Sequence, residues 1–396
     1  MTLQTLSSLR VLEFSHAVLG PACGLVLADL GAEVIRIEPL DGDPTRKLKG
    51  FGTGYYPFFN RNKKSVAIDI KSEAGREVIF KLLESTDVLI ENFAPGTMDR
   101  LGFGFEALAS RYPTLVYCSL KGFLPGPYSS RLALDEVVQF MSGIAYMTGP
   151  IGQPLRAGAS VIDIMGGTYG AIAILAALRE RDVTGNGQLV KSALFETAAF
   201  LMGHHMAYAA VTKEPVPPMP ARVSAWAIYR TFNTCDNELV FIGVTSDKQW
   251  VRFCDSFELH NLLADERLTT NNGRIDQREW LIPQLVERIA KFSKAEVLQR
   301  CEKADVPFSP IAKPEDLFTD EQLIQGHSLL ETILPNGDTT QLPRLPLLLG
   351  DEGSQLEINP PKIGEHSREV LASAGLGAEL IEKFIRDGVV AVESGK

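Results

Sequence analysis

The chain has 396 residues, 45% of them hydrophobic and 22% charged, with a formal net charge of −10. This is the profile of a soluble globular protein, and its sign excludes nucleic acid or an anionic membrane surface as the main partner. The length exceeds what a single core usually supports, so two domains are expected.

The first third alternates strands and helices. Strands are predicted at Leu9–Phe14, Ala32–Ile37, Lys64–Asp69, Val88–Glu91 and Leu115–Ser119. Helices are predicted at Gly20–Leu30, Ser72–Ser85 and Gly104–Arg111. Strand, crossover helix and strand with short links imply an α/β fold with a doubly wound parallel sheet. Further on, a helix Gly167–Arg181 ends at the turn signal Thr184-Gly185-Asn186-Gly187. Strand Gln188–Ser192 and a long helix from about Phe195 to Val211 follow. A proline cluster (Pro215, Pro217, Pro218, Pro220) marks residues 212–220 as a linker.

Beyond the linker, Ala225–Phe232 and Leu239–Gly243 alternate like a hairpin. Asp247–Asp255, Gln277–Lys291 and Ser293–Ala304 read as helices, and Val306–Ile311 as a short strand. A second hairpin turns at Asn336-Gly337, and Glu379–Asp387 closes the chain as a helix.

Five scattered cysteines (Cys23, Cys118, Cys235, Cys254, Cys301) without a C-x-x-C pair fit a reducing cytoplasm and no zinc site. Adjacent His204 and His205 make a poor metal pair, because helix neighbours point about 100° apart. The N-terminus lacks a basic region followed by a long apolar core, so no signal peptide is expected.

Asp163 is the only charge between Ala159 and Leu178. Apolar surroundings strip a carboxylate of hydration, and a poorly hydrated aspartate is a good nucleophile toward an activated acyl group. Two other readings compete. A membrane span is disfavoured by Gly166, Gly167 and Gly170 in a short apolar run. A helix N-cap is equally compatible with the position.

Other motifs are missing. The turn Ser15-His16-Ala17-Val18-Leu19-Gly20-Pro21 lacks G-x-G-x-x-G, so Glu38 is no sign of a dinucleotide site. There is no G-x-S-x-G elbow and no P-loop lysine. Two segments rich in basic and amide groups, Asn60-Arg61-Asn62-Lys63-Lys64 and Glu91–Gly96 leading to Arg100, suit phosphates or a solvated loop.

Taken together, these segments resemble the family III CoA-transferases, the group of formyl-CoA transferase and carnitine CoA-transferase. The carrying pieces are LRVLEFSHAVLGPACGLVLADLGAEVIRIE, FFNRNKKSVAID, VLIENFAPGTMDRLG, VYCSLKGF, MSGIAYMTG, the Asp163 segment, ILAALRERDVTGNGQLVKSAL and IGEHSREVL. The resemblance implies a large Rossmann-like CoA-binding domain from residues 1–214 and 331–396, a smaller inserted α+β domain at 221–330, and an interlocked ring-shaped homodimer. It aligns the family nucleophile with Asp163 and implies coenzyme A thioesters as substrates, with no permanently bound cofactor and no metal. CoA contacts are implied at His16, the loop Arg36–Arg46, Asn92, Phe93, Arg100 and Lys121.

Departures are visible. Pro39 and Leu40 stand where formyl-CoA transferase has a CoA-contacting arginine, and Val18 replaces its intermediate-stabilising glutamine. No glycine-rich flap is visible in the inserted domain. These argue against oxalate. The α-methylacyl-CoA racemases of the same superfamily need a second base, a histidine in G-H-D-x-N-Y, but residues 130–136 here read SRLALDE. The acceptor is expected to be a C4–C5 dicarboxylate, with His205, Arg222 and Arg230 as candidate cations beside Val18. The sequence leaves open whether the charge of Glu136 steers Arg131 or faces solvent.

Overall fold

The computed structural model describes residues 3–222 and 224–393. Two compact units divide the chain: Met1–Pro220 with Glu321–Lys396, and Ala221–Asp320.

The first unit is built on strands β1 (Arg10–Phe14), β2 (Glu33–Glu38), β3 (Lys63–Ile68), β4 (Val88–Glu91), β5 (Val116–Lys121) and β6 (Leu189–Ala193). They are parallel and lie in the order β3-β2-β1-β4-β5-β6. A two-residue strand, Val390–Ala391, adds antiparallel to β3. Strands β1–β5 are buried almost throughout because helices cover both faces, although β1–β3 carry charged residues among the apolar ones. On one face, α1 (Leu19–Asp29) contributes Cys23 and Leu27 to a core. On the other, α2 (Glu73–Leu83) packs Val78, Ile79 and Leu82, joined by Val370, Leu371 and Ile381 from the C-terminal helices Ser367–Ser373 and Ala378–Arg386. Ser72 starts α2 by accepting the Gly75 N–H at 3.0 Å.

Three elements differ from expectation. The helix expected at Gly167 begins six residues earlier, as α4 (Val161–Thr184). The region before it, to which the sequence assigns no element, forms α3 (Asp135–Ser142) and a short helix, Ile144–Thr148. The single helix expected at 195–211 is broken into α5 (Leu194–Leu201) and α6 (Gly203–Thr212), where Gly203, a weak helix former, follows Met202.

By length and composition α4 could cross a membrane, and 44% of its apolar window is buried. Its glycines explain how it packs. A Cβ at Gly167 would lie 2.7 Å from the Leu19 carbonyl oxygen, and one at Gly166 would lie 3.0 Å from Leu19 Cδ1. Backbone therefore meets backbone where α4 crosses the start of α1. Gly185, at φ +76°, ends α4 in the left-handed conformation that glycine adopts without cost.

The second unit has an antiparallel sheet of β7 (Ile228–Asn233), β8 (Leu239–Val244) and β9 (Phe308–Pro310). Helices Asp247–Ser256, Arg278–Ile289 and Lys294–Ala304 enclose its core of Trp250, Phe253, Phe257, Leu281, Leu285 and Val297. Ser293 and Glu296 form a capping box at the last of these helices.

Candidate active site

Strand order reverses between β1 and β4, and in open α/β sheets ligands bind beyond the carboxyl ends of the strands at such a point. Both loops leaving this point carry expected residues. The Asn92 side chain clamps the backbone of His16, accepting its N–H at 2.9 Å and donating to its carbonyl at 2.9 Å. The His16 and Phe93 rings stack with centroids 5.8 Å apart and planes 14° off parallel. Desolvation lowers the His16 pKa, opposed by Asp43 and aided by Arg36. The imidazole is therefore neutral at pH 7 although one edge is exposed. Ala17, next in line, sits at φ +59°, a strained position for a residue with a Cβ.

Lys121, at the end of β5, reaches the same loop, donating to Glu91 at 2.5 Å and to the Phe93 carbonyl at 2.6 Å. It thereby shapes the loop that carries Asn92 and Phe93. Arg100 is exposed and donates to Thr97 Oγ1 at 2.8 Å. No carboxylate pairs with it among the described residues, so it is open to a phosphate.

The other basic groups face inward. Arg46 forms a bidentate pair with Glu38 (2.6 and 2.8 Å) and lies 3.7 Å from the centroid of the Tyr56 ring. Glu38, buried under this pair and bonded to Ser65, has no capacity left for a ribose. The phosphate reading of Asn60–Lys64 is corrected. The segment leads into β3 rather than out of it, so it lies at the amino end of the strand. Arg61 pairs with Asp29 at 2.7 Å, Lys63 with Glu13 at 2.9 Å, and Lys64 with Glu33 at 2.9 Å. Asn60 accepts from Arg36 at 2.8 Å.

Asp163 is the third residue of α4, not its cap. The first amides of the helix are taken instead by Asp135, which sequence reasoning passed over. Its Oδ2 accepts the N–H of Ile162 at 2.8 Å and of Asp163 at 3.1 Å. The Asp163 carboxylate makes no hydrogen bond among the described residues. Desolvation first, and the charge of Asp135 second, raise its pKa to about 7, with Arg156 opposing. This carboxylate is about half ionised at neutral pH, poorly solvated and more basic than an ordinary one, the properties an acyl-attacking oxygen needs. It lies one turn before the Gly166–Gly167 crossing with α1, on the side of the loop that carries His16.

The remaining expected residues are placed as follows. Val18 is 2% exposed and packs with Ala22, Leu25 and Phe59. His205, on α6, is half-buried, its ring 3.8 Å from that of His204. Arg222 and Arg230 belong to the second unit. Arg230 is exposed and donates to the Thr231 carbonyl at 3.3 Å. Glu136 does not steer Arg131: its cation is Arg156, 3.9 Å away, while Arg131 lies over the Tyr128 ring at 4.8 Å. The described residues contain no cluster of three or more His, Cys, Asp or Glu able to hold a metal ion.

Comparison with known proteins identifies the family. The model of CoA-transferase family III matches residues 6–367. A succinate–glutarate CoA-transferase of Agrobacterium fabrum is 34% identical, covering 93% of this chain and 95% of its own. The human succinyl-CoA:glutarate CoA-transferase is 30% identical, covering 93% and 86%. A crystal structure of a CaiB/BaiF family protein from Brucella suis superposes with a TM-score of 0.82 at 32% identity, covering 92% of this chain and 98% of that one. The chain belongs to CoA-transferase family III and is a CoA-transferase.

Proposed function

We propose that this enzyme moves CoA between a short acyl-CoA, such as succinyl-CoA, and a C4–C5 dicarboxylate such as itaconate, mesaconate or citramalate, with Asp163 as the nucleophile. The observation that carries the reading is the Asp163 carboxylate: desolvated, unbonded and raised to about 7 at the start of α4. The dicarboxylate class is supported by relatives whose names pair succinate with glutarate.

In this scheme an Asp163 oxygen attacks the thioester carbonyl and the CoA thiolate leaves, giving a mixed anhydride. The thiolate then attacks the aspartyl carbonyl, releasing the donor acid as its carboxylate and leaving an aspartyl-CoA thioester. The acceptor carboxylate attacks that thioester, and the thiolate, released again, attacks the acceptor acyl carbon and frees Asp163. Each step exchanges acyl groups of similar activation, so the thioester energy is kept. Exclusion of water protects both intermediates from hydrolysis. Attack requires the ionised acid, so kcat/KM rises with pH through about 7.

CoA is read as lying along the His16–Phe93 edge, with Asn92 fixing the loop and Arg100 taking a phosphate. Lys121 and Arg46 hold this surface in shape. His205, on α6, is read as facing the acceptor, whereas Val18, sealed among Ala22, Leu25 and Phe59, acts on it only through packing. Residues 1–214 and 331–396 are read as the CoA-binding domain, and 221–330 as a smaller domain inserted after the 212–220 linker. The large apolar side chains exposed on the first unit support an interlocked homodimer, among them Leu132 (83%), Ile151, Phe200 and Val211 (82%). Light scattering should then give twice the chain mass of 43.3 kDa.

The test is acyl exchange followed by mass spectrometry. Succinyl-CoA is offered with mesaconate, itaconate, citramalate, malate, glutarate, acetate or oxalate, with Asp163→Ala alongside. A new acyl-CoA made by the wild type and absent with the variant supports the reading and names the acid. Exchange that survives in Asp163→Ala removes Asp163 as the nucleophile.

A further inference from the structure

We propose that Asp135 is a positioning residue for the transfer: by occupying the first amides of α4, it keeps the Asp163 carboxylate out of a local cap and free to reach an acyl carbon. The inference rests on the reading of Asp163 as nucleophile.

The local sequence favours a different arrangement. Ser160-Val161-Ile162-Asp163 places a serine at the N-cap and an acid three residues on, the spacing of a capping box. In such a box Ser160 would accept the Asp163 N–H, and the Asp163 carboxylate would fold back onto the Ser160 N–H. An acid satisfied by amides is stabilised as its anion and is a weak nucleophile. Neither bond forms. Ser160 makes no capping bond, and the amides of Ile162 and Asp163 go to Asp135.

Asp135 is held firmly for this task. It is buried, and its second oxygen accepts from the Gln139 amide at 2.6 Å. Gln139 accepts the Ala157 N–H at 2.8 Å. Arg156 stands 3.5 Å from Asp135 Oδ1 and donates to the Ala157 carbonyl at 3.0 Å. The segment leading into α4 is therefore tied to α3, and the position of Asp163 is set from outside its own helix.

The charge of Asp135 also acts on Asp163 directly, raising its pKa, while Arg156 lowers it. Glu136 faces Arg156 at 3.9 Å. The other charges on elements packed against α4 are engaged or distant. On α5, Glu196 accepts the Leu124 N–H at 3.1 Å, and Asp29, at the far end of α1, pairs with Arg61. Lys121 on β5 is bound to Glu91, and Lys191 on β6 is exposed.

The experiment compares Asp135→Asn, Asp135→Ala, Asp163→Ala and wild type. It reads kcat and kcat/KM against pH, and the rate at which succinyl-CoA alone adds CoA to the enzyme, followed by intact mass. Asp135→Asn keeps an oxygen for the two amides but loses the charge. Its acidic limb should move down by about one pH unit, and its plateau kcat should fall roughly threefold to tenfold as the nucleophile loses basicity. Asp135→Ala frees the Asp163 N–H for Ser160 and lets the box close on the Asp163 carboxylate, so adduct formation should slow about a hundredfold while KM for the acyl-CoA changes less than about twofold. Should Asp135→Ala fail to fold, the limb of Asp135→Asn, checked for native circular dichroism, carries the test. Wild-type adduct rates and an unmoved limb, with only a lower unfolding temperature, would make Asp135 a structural cap and overturn the proposal. An adduct that still forms in Asp163→Ala would instead sink the nucleophile reading, whatever the Asp135 variants do.

Discussion

Glu13 and Asp163 are both carboxylates with little water around them, yet their surroundings are opposite. Glu13, inside β1, is fully buried and accepts from Ser15 at 2.5 Å and Arg36 at 2.9 Å, with Lys63 2.9 Å away. Arg36 also pairs with Asp43, and nearby Asp29 holds Arg61. Charge is matched by charge beneath β1–β3. At the start of α4 no cation bonds the acid, and the nearest carboxylate repels it. Paired buried charges hold a structure in register, and removing one partner leaves the other stranded. A lone desolvated acid holds nothing in place, and its raised basicity is available for chemistry.

The contrast can be broken at its paired end. Arg61→Met strands Asp29 with only the Asn62 amide, at 2.9 Å. Chemical denaturation should show a loss of about 3–5 kcal/mol, with kcat of the folded enzyme unchanged. Adding Asp29→Leu should recover much of that loss. If the single and double variants are equally destabilised, the pair is not what holds this region.

The unpaired end predicts the opposite sign. The Asp163 pKa is about 7 in the fold against 3.8 as a model value. Below 3.8 both folded and unfolded states keep the proton. Above about 7 the folded chain carries a desolvated charge, so the contribution of this group to stability is lost as pH rises through that window. Asp163→Asn should therefore stabilise the protein at pH 8 by about 1–3 kcal/mol, less than the full shift because the group keeps some solvent contact, with the gain shrinking at pH 4. A gain that does not depend on pH would contradict the desolvated charge.

A smaller effect concerns ligand contact. Arg100→Ala should raise KM for the acyl-CoA about tenfold and leave kcat nearly unchanged, the pattern of a phosphate contact made equally in ground and transition states. An unchanged KM would mean that this exposed cation is only solvated. Smallest of all, Lys47→Ala removes a surface pair with Asp41 at 3.1 Å. Thermal unfolding should show no resolvable change in Tm.

Much of this contrast was visible in the sequence, but unevenly. Asp163 stood out because a single charge in an apolar run is a property of local composition. The strands of the parallel sheet were legible because short runs rich in Val, Ile and Leu alternate with helical segments. The basic segment Asn60–Lys64 was not legible: composition reports charge but not whether an acid waits across the sheet, and Glu13 lies 50 residues from Lys63. Asp135 was missed for the same reason, since it caps a helix 28 positions along the chain. The early start of α4 follows from that distant cap.

The sequence by itself determined the alternation of strands and helices, the apolar helix with its one acid, and the resemblance to family III CoA-transferases, because periodicity, composition and motif order are local properties of the chain. Only the tertiary structure decided which charges are matched and which are left alone. Ion pairing and desolvation depend on distances between residues far apart in sequence, and the state of Asp163 is set first by its burial and then by Asp135 and Arg156.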